Sequence, residues 1–311
     1  MRAIRARAPS VVIGCTAVLV LGLGGSACAD PGTGSRLTVQ EPPVPVVAST
    51  NVYGDVVKQI GSDKVDVVSI ISDPAQDPHS YEASTRNQLE LAKAKVVVEN
   101  GGGYDDFVGR MLRGSGNSSA EVVDAVDASG KRPAADGAFN EHVWYDLPTM
   151  GKVADRIADA LAKAAPADGA EFRQNAKTFK DDLAGLQEET KQINSRHAGT
   201  PVAVTEPVPL YLTEASGLVN KTPADFSEAV EEGDEVSPQS LRDTLALFTD
   251  RQVEVLVYNE QTAGPQTEKV EKAAVDNDIP VVAVTETLPE GEDYVSWMAS
   301  NIDALKNALD R

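Results

Sequence analysis

Three histidines in 311 residues make the setting of each imidazole informative. His79 lies in Asp77-Pro-His79-Ser-Tyr-Glu82, beyond a β-branched run at residues 65–71. His142 lies in Asn140-Glu-His142-Val-Trp-Tyr-Asp-Leu-Pro148, just ahead of a helical pattern. His197 follows Arg196 at the end of a long helical stretch, where a cationic ring suits the helix dipole, so it reads as a cap or an exposed side chain. Two carboxylates join these rings, because the text Val-Ala-Val-Thr-Glu occurs twice, ending at Glu206 and at Glu286. In open α/β sheets, ligands bind beyond the carboxyl ends of the strands. His79, Glu206 and Glu286 each follow a predicted strand and could converge there. Imidazole with carboxylate suits a borderline or hard divalent cation. On chemistry alone, a two-His, two-Glu metal site and ordinary surface carboxylates both satisfy the pattern. Glu260, after the run at 253–258, is a rival fourth donor.

The elements that would position these groups alternate between strand-like and helical text. Strands are predicted at 44–48, 65–71, 96–98 and 122–126, and helices at 52–60, 85–94 and 104–112, with a glycine turn at 101–103. Residues 133–138 read as a loop, and a helix runs from Pro148 to about residue 165. Then Phe172, Ala176, Phe179, Leu183, Leu186, Thr190 and Ile193 recur at spacings of three and four. Such a stripe describes one helix of about 28 residues, roughly 40 Å long, packed as a spine between two lobes. Strands return at 202–205, 253–258 and 281–285. Strand–helix alternation of this kind predicts parallel sheets covered by helices, an α/β fold of two lobes joined by the spine helix. The expected organisation is a leader at 1–27, a tether at 28–43, a first lobe at 44–166, the connecting helix at 167–197 and a second lobe at 198–311.

The first 27 residues set the compartment. Arg2, Arg5 and Arg7 precede an apolar run at 11–23, and Gly-Gly-Ser-Ala then leads into Cys28. That layout is a secretory signal, too short to be a stable membrane span. The text before Cys28 resembles the bacterial lipobox, with Gly25 where Leu is usual, which makes Cys28 the expected lipidation site. The 29–45 stretch, rich in Gly, Pro, Ser and Thr, reads as a flexible tether. With Cys15 lost in the leader, Cys28 would be the only cysteine left, so neither an intrachain disulfide nor a thiolate ligand is available. Loss of three arginines would take the net charge from −20 to −23, a surface that repels nucleic acid and mildly favours cations.

The two His motifs, in that order and at that separation, resemble the zinc and manganese solute-binding lipoproteins of bacterial ABC importers. The likeness covers nearly the whole chain after the leader, the long helix included. It implies a metal-type periplasmic binding protein fold and four ligands to one transported Zn2+ or Mn2+, namely His79, His142, Glu206 and Glu286. The last position is usually Asp in that family, so Glu286 reaches one methylene further. Ala83 and Glu141 stand where the family often has Pro. The His-rich acidic loop of many zinc-specific relatives is absent, since residues 114–138 contain no His. Together with Glu206, that leans toward manganese without excluding zinc. The likeness also implies an ABC permease with its ATPase as partner, an extracytoplasmic position anchored through Cys28, no enzymatic activity and a monomeric state.

Glu82 and Asp146 lie close in sequence to the two imidazoles and could orient them, although a helix cap or surface salt bridge is the simpler role. Trp144 and Tyr145 read as core. Affinity should fall as pH drops through the imidazole range near 6.5, because ligands must be deprotonated. The competing functions are a metal-dependent hydrolase and a surface adhesin. Four protein donors leave tetrahedral zinc no position for water, and no HExxH motif is present, which weighs against the hydrolase. An adhesin would use the exposed acidic faces and leave the site empty.

Overall fold

Valine-rich runs become the strands of two four-stranded parallel sheets in this computed structural model, which describes residues 42–73, 81, 84–132 and 139–311. The leader, most of the tether, His79 and Glu82 of the first His motif, and the loop-like stretch 133–138 lie outside the described residues. The first lobe contains β1 (Val44–Thr50), α1 (Asn51–Gly61), β2 (Val65–Ile71), α2 (Thr85–Lys93), β3 (Val96–Glu99), α3 (Asp106–Ser115), β4 (Glu121–Asp124), α4 (Ala125–Ser129) and α5 (Leu147–Ala164). The spine α6 (Gly169–His197) follows. The second lobe contains β5 (Pro201–Val204), α7 (Leu210–Ala215), β6 (Val219–Asn220), α8 (Ala224–Glu231) and α9 (Pro238–Thr249). It closes with β7 (Val255–Asn259), α10 (Pro265–Asp276), β8 (Val281–Val284) and α11 (Tyr294–Leu309).

Both sheets have the same connectivity. Their strand orders are β2-β1-β3-β4 and β6-β5-β7-β8, all parallel. The chain reverses direction of winding after β2 and after β6, which opens a crevice beyond the carboxyl ends of β1/β3 and β5/β7. Central strands are buried on both faces and therefore carry continuous apolar text, as in β1 and β7. Edge strand β2 instead shows Asp66 to solvent, and edge strand β6 pairs through only two residues, too few to leave a pattern in the sequence.

Element ends depart from the sequence expectation for local reasons. The strand expected at 122–126 stops at Asp124, because that side chain accepts from Asp127 N at 2.8 Å and starts α4. The helix expected from Tyr104 starts at Asp106. Gly101, Gly102 and Gly103 hold positive φ values of 75°, 70° and 109°, and this left-handed run keeps Tyr104 in the turn. At Gly101 a Cβ would meet the Asp124 carboxylate at 2.2 Å, so both the backbone and the space require glycine.

The spine is 29 residues long and buries the whole predicted stripe: Phe172, Ala176, Phe179, Leu183, Leu186, Thr190 and Ile193. It packs on α1 and α5 of the first lobe and on α7 and α11 of the second. One hydrophobic cluster therefore runs through both lobes, from Val46 and Ile157 across Phe179 to Val204 and Trp297. Each such side chain contributes about 1.5–3 kcal/mol on burial. Direct hydrogen bonds reinforce the join: Asn51 Nδ2 to Leu288 O at 2.7 Å, Tyr294 N to Asp55 Oδ2 at 2.8 Å and Tyr145 OH to Thr285 O at 2.7 Å. His197 closes α6 and contacts Asp310 at 3.1 Å, in keeping with a helix-end role.

Candidate metal centre

Strand register accounts for the heart of the site. Val204 lies opposite Val257, so two residues further on Glu206 comes level with Asn259. Asn259 lies opposite Val284, and Glu286 follows two residues later. The repeated Val-Ala-Val-Thr-Glu text belongs to β5 and β8, the strands on either side of β7. Asn259 thus sits between the two glutamates. Its Nδ2 donates to Glu206 Oε2 and, at 2.9 Å, to Glu286 Oε1. Both amide hydrogens are used, and the orientation is fixed because Asn259 Oδ1 accepts from Gln261 N at 3.2 Å. Asn259, Glu206 and Glu286 are each 1–2% exposed.

Gln261 pins the main chain that carries the last of these residues. Its Oε1 accepts from Glu286 N at 2.5 Å and Thr287 N at 3.0 Å, and its Nε2 donates to Thr287 Oγ1 at 2.9 Å. From the first lobe, Tyr104 donates its hydroxyl to Glu286 Oε2 at 3.2 Å. Burial, followed by the charge of Glu286, pushes the Tyr104 phenol well above its ordinary pKa, so it remains a donor. The glycine turn that precedes Tyr104 therefore delivers a hydroxyl across the lobe boundary.

His142 is fully buried in a wall of aromatic rings. Its ring lies 4.9 Å from Trp144 and 5.9 Å from Tyr104, centroid to centroid. Asn140 sets its tautomer. Asn140 Nδ2 donates to Pro207 O of the second lobe at 3.0 Å, which leaves Oδ1 toward the imidazole, 2.8 Å from Nδ1. A carbonyl oxygen only accepts, so the proton is on Nδ1 and Nε2 carries the lone pair a metal would use. Facing Nε2 at 3.5 Å is Oε1 of Glu231, at the end of α8. Burial first, then the carboxylates of Glu141, Glu206 and Glu286, raise the pKa of Glu231 to about 9. Glu231 therefore holds its proton at neutral pH in an acid-rich region whose charges come from Glu141, Glu206 and Glu286. A divalent cation answers that arrangement, since it offsets the mutual repulsion of carboxylates and the cost of burying them.

Of the four ligands expected from sequence, Glu206 and Glu286 meet at Asn259, Tyr104 lies between Glu286 and the His142 ring, and His79 lies outside the described residues. Glu260, the rival donor, is exposed, and its neighbour Asn259 is the residue that turns inward. Asp146 does not orient His142. It accepts from Thr149 Oγ1 and pairs with Lys131 at 3.2 Å at the start of α5, the simpler of the two roles considered. Trp144 and Tyr145 are core residues, as expected. Asn140, Tyr104, Asn259, Gln261 and Glu231 were not singled out by sequence. Asn140 had the clearest signal, two positions before the histidine.

Comparison with known proteins agrees with this architecture. The family described as "ZnuA: Zinc-uptake complex component A periplasmic" matches residues 46–308. The chain belongs to that family. The manganese-binding lipoprotein MntA of Bacillus subtilis is 33% identical over 160 residues, which span 50% of this chain and 51% of MntA. The manganese ABC transporter substrate-binding lipoprotein scaA of Streptococcus gordonii is 24% identical over 283 residues, covering 85% of this chain and 88% of scaA. The crystal structure of ZnuA superposes with a TM-score of 0.71 at 21% identity, covering 86% of this chain and 98% of that one. The family's fold, with two parallel sheets and a long helix between the lobes, is the one described above.

Proposed function

We propose that this protein is an extracytoplasmic solute-binding lipoprotein that holds one zinc or manganese ion between its lobes and delivers it to an ABC permease driven by a cytoplasmic ATPase. The observation that carries the reading is the burial of His142, Glu206 and Glu286 together, with Asn259 tying the two glutamates and Asn140 fixing the imidazole tautomer. His79, assigned from its motif, completes the ligand set. Membership of the family and the names of the relatives support the same role. Cys28 is the proposed lipid anchor, and the protein acts as a monomer.

The metal is cargo, so the site must bind and also release. The packing of α6 on both lobes and the hydrogen bonds between lobes oppose a wide hinge motion. Release therefore proceeds by local movement of the loops that carry the ligands. The hydrolase and adhesin readings have no observation in their favour. Calorimetric titration of chelator-stripped protein should give one equivalent of zinc or manganese, and a His79→Ala/His142→Ala double variant should bind neither. Binding by the double variant at wild-type affinity would rule the site out.

A further inference from the structure

Glu231 brings a carboxylate that neither the strand-end pattern nor the family's four ligand positions contains. Its Oε1 stands 3.5 Å from His142 Nε2, too far for a strong hydrogen bond. Two donors each about 2.1 Å from one tetrahedral ion stand about 3.4 Å apart, close to the separation seen. The Glu231 side chain is 13% exposed, and Oε1 is fully covered, with no hydrogen-bond partner among the described residues. A covered carboxylate oxygen without a donor is costly, and an acid in the last turn of a helix also opposes the helix dipole. A cation between Glu231 and His142 removes both costs. Glu141, His142 and Glu231 can each place one ligand atom within 4.8 Å of the others. Of the two acids in that group, Glu231 comes from the opposite lobe, on a helix anchored by the fully buried Phe226.

We propose that Glu231 is a further ligand of the transported ion, the third carboxylate supplied by the second lobe, and that it biases the site toward manganese over zinc. This rests on the reading of the region as the metal site. Carboxylate oxygens suit manganese, which accepts six ligands, whereas zinc is satisfied by four and prefers nitrogen. An added oxygen therefore helps manganese more than zinc.

The test is a competition titration of wild type, Glu231→Gln, Glu141→Gln and His142→Ala with Mn2+ and Zn2+, alongside melting of each metal-free protein. Glu231→Gln should lose about tenfold or more in manganese affinity while zinc stays within about threefold. Glu141→Gln should leave both within about threefold, and His142→Ala should lose both. Should Glu231→Gln fail to fold, Glu231→Asp, which withdraws the oxygen by one methylene, should show the same manganese-selective loss to a smaller degree. The proposal is overturned if Glu231→Gln changes neither affinity, lowers both equally, or leaves the shift to Glu141→Gln. In those cases, a loss in His142→Ala keeps the metal site itself intact. If the wild type takes up neither ion, both the site and the role of Glu231 fall.

Discussion

Two asparagines stand at equivalent places, Asn100 just beyond β3 and Asn259 at the end of β7, each third in strand order of its sheet. Both are buried, and they spend their amides differently. Asn100 donates to the main-chain oxygens of Gly101 and Glu141, at 2.9 and 3.0 Å, and accepts from Tyr53 OH at 2.5 Å. Asn259 gives both its hydrogens to side-chain carboxylates. The nearby acids follow the same division. Asp105, in the first lobe, accepts from the backbone N–H groups of Asn100 and Gly101, so its oxygens serve the turn. Glu206 and Glu286 are instead held by the Asn259 side chain. The same topology therefore yields a rigid frame in one lobe and a ligand-presenting edge in the other. An acid beyond a strand can serve as a ligand only where the main chain does not claim its oxygens.

The largest expected effect comes from the ligand edge. Saturating metal at about 1,000 times Kd stabilises the native state by about 4 kcal/mol. A Glu206→Gln/Glu286→Gln variant should lose that gain entirely, while its metal-free form melts at or above the wild-type temperature because two buried like charges are gone. Thermal melts with and without metal check this, and a retained gap would break the contrast. The asparagine pair sharpens it further. Asn259→Ala should weaken affinity about 10–100-fold and so shrink the gap by about 1.4–2.7 kcal/mol. Asn100→Ala should instead destabilise both forms in parallel, by about 1–3 kcal/mol, through groups left unsatisfied. Equal behaviour of the two variants would show that the division between frame and ligand edge is wrong.

The smallest effect is a pH trend of opposite sign in the two regions. Burial raises the Asp105 carboxyl to about 6, and burial with the charges of Asp105 and Asp124 raises Glu99 to about 7. A carboxyl with a raised native pKa holds its proton more tightly in the folded state. Between the unfolded and folded values the native protein binds more protons, so stability falls as pH rises. From pH 5 to 7, Asp105 alone should cost the metal-free protein about 1 kcal/mol, or roughly 2–4 °C for a chain of this size. Metal affinity should move the other way and weaken on acidification, since the ligands must be deprotonated. Melting at both pH values, paired with titrations, tests the two trends together.

Much of this arrangement was legible in the residues. The β-branched runs located seven of the eight strands, and the spacing from Phe172 to Ile193 located the spine. The repeated strand-plus-glutamate text named both carboxylates, because a strand ending in an acid delivers it to the sheet edge whatever the strand order. What remained hidden depends on order and register. Asn259 matters because β7 lies between β5 and β8, a fact of pairing that no local pattern carries. Glu260, one residue later, looks equally plausible in sequence and is exposed. Glu231 sits among Glu228, Glu232, Asp234 and Glu235, text that reads as a solvated surface until the packing of α8 covers most of one member of it. Tyr104 reads as the start of a helix, and only the left-handed glycine run aims its hydroxyl across the lobe boundary.

The most direct test of the central claim is an anomalous-scattering map at the zinc edge from crystals of the zinc-loaded protein. One peak per molecule is predicted, about 2.0–2.2 Å from His142 Nε2 and from carboxylate oxygens of Glu206 and Glu286. A single peak instead at the first-lobe acids Asp105 and Asp124, or full occupancy with His142 and the two glutamates uninvolved, would contradict it.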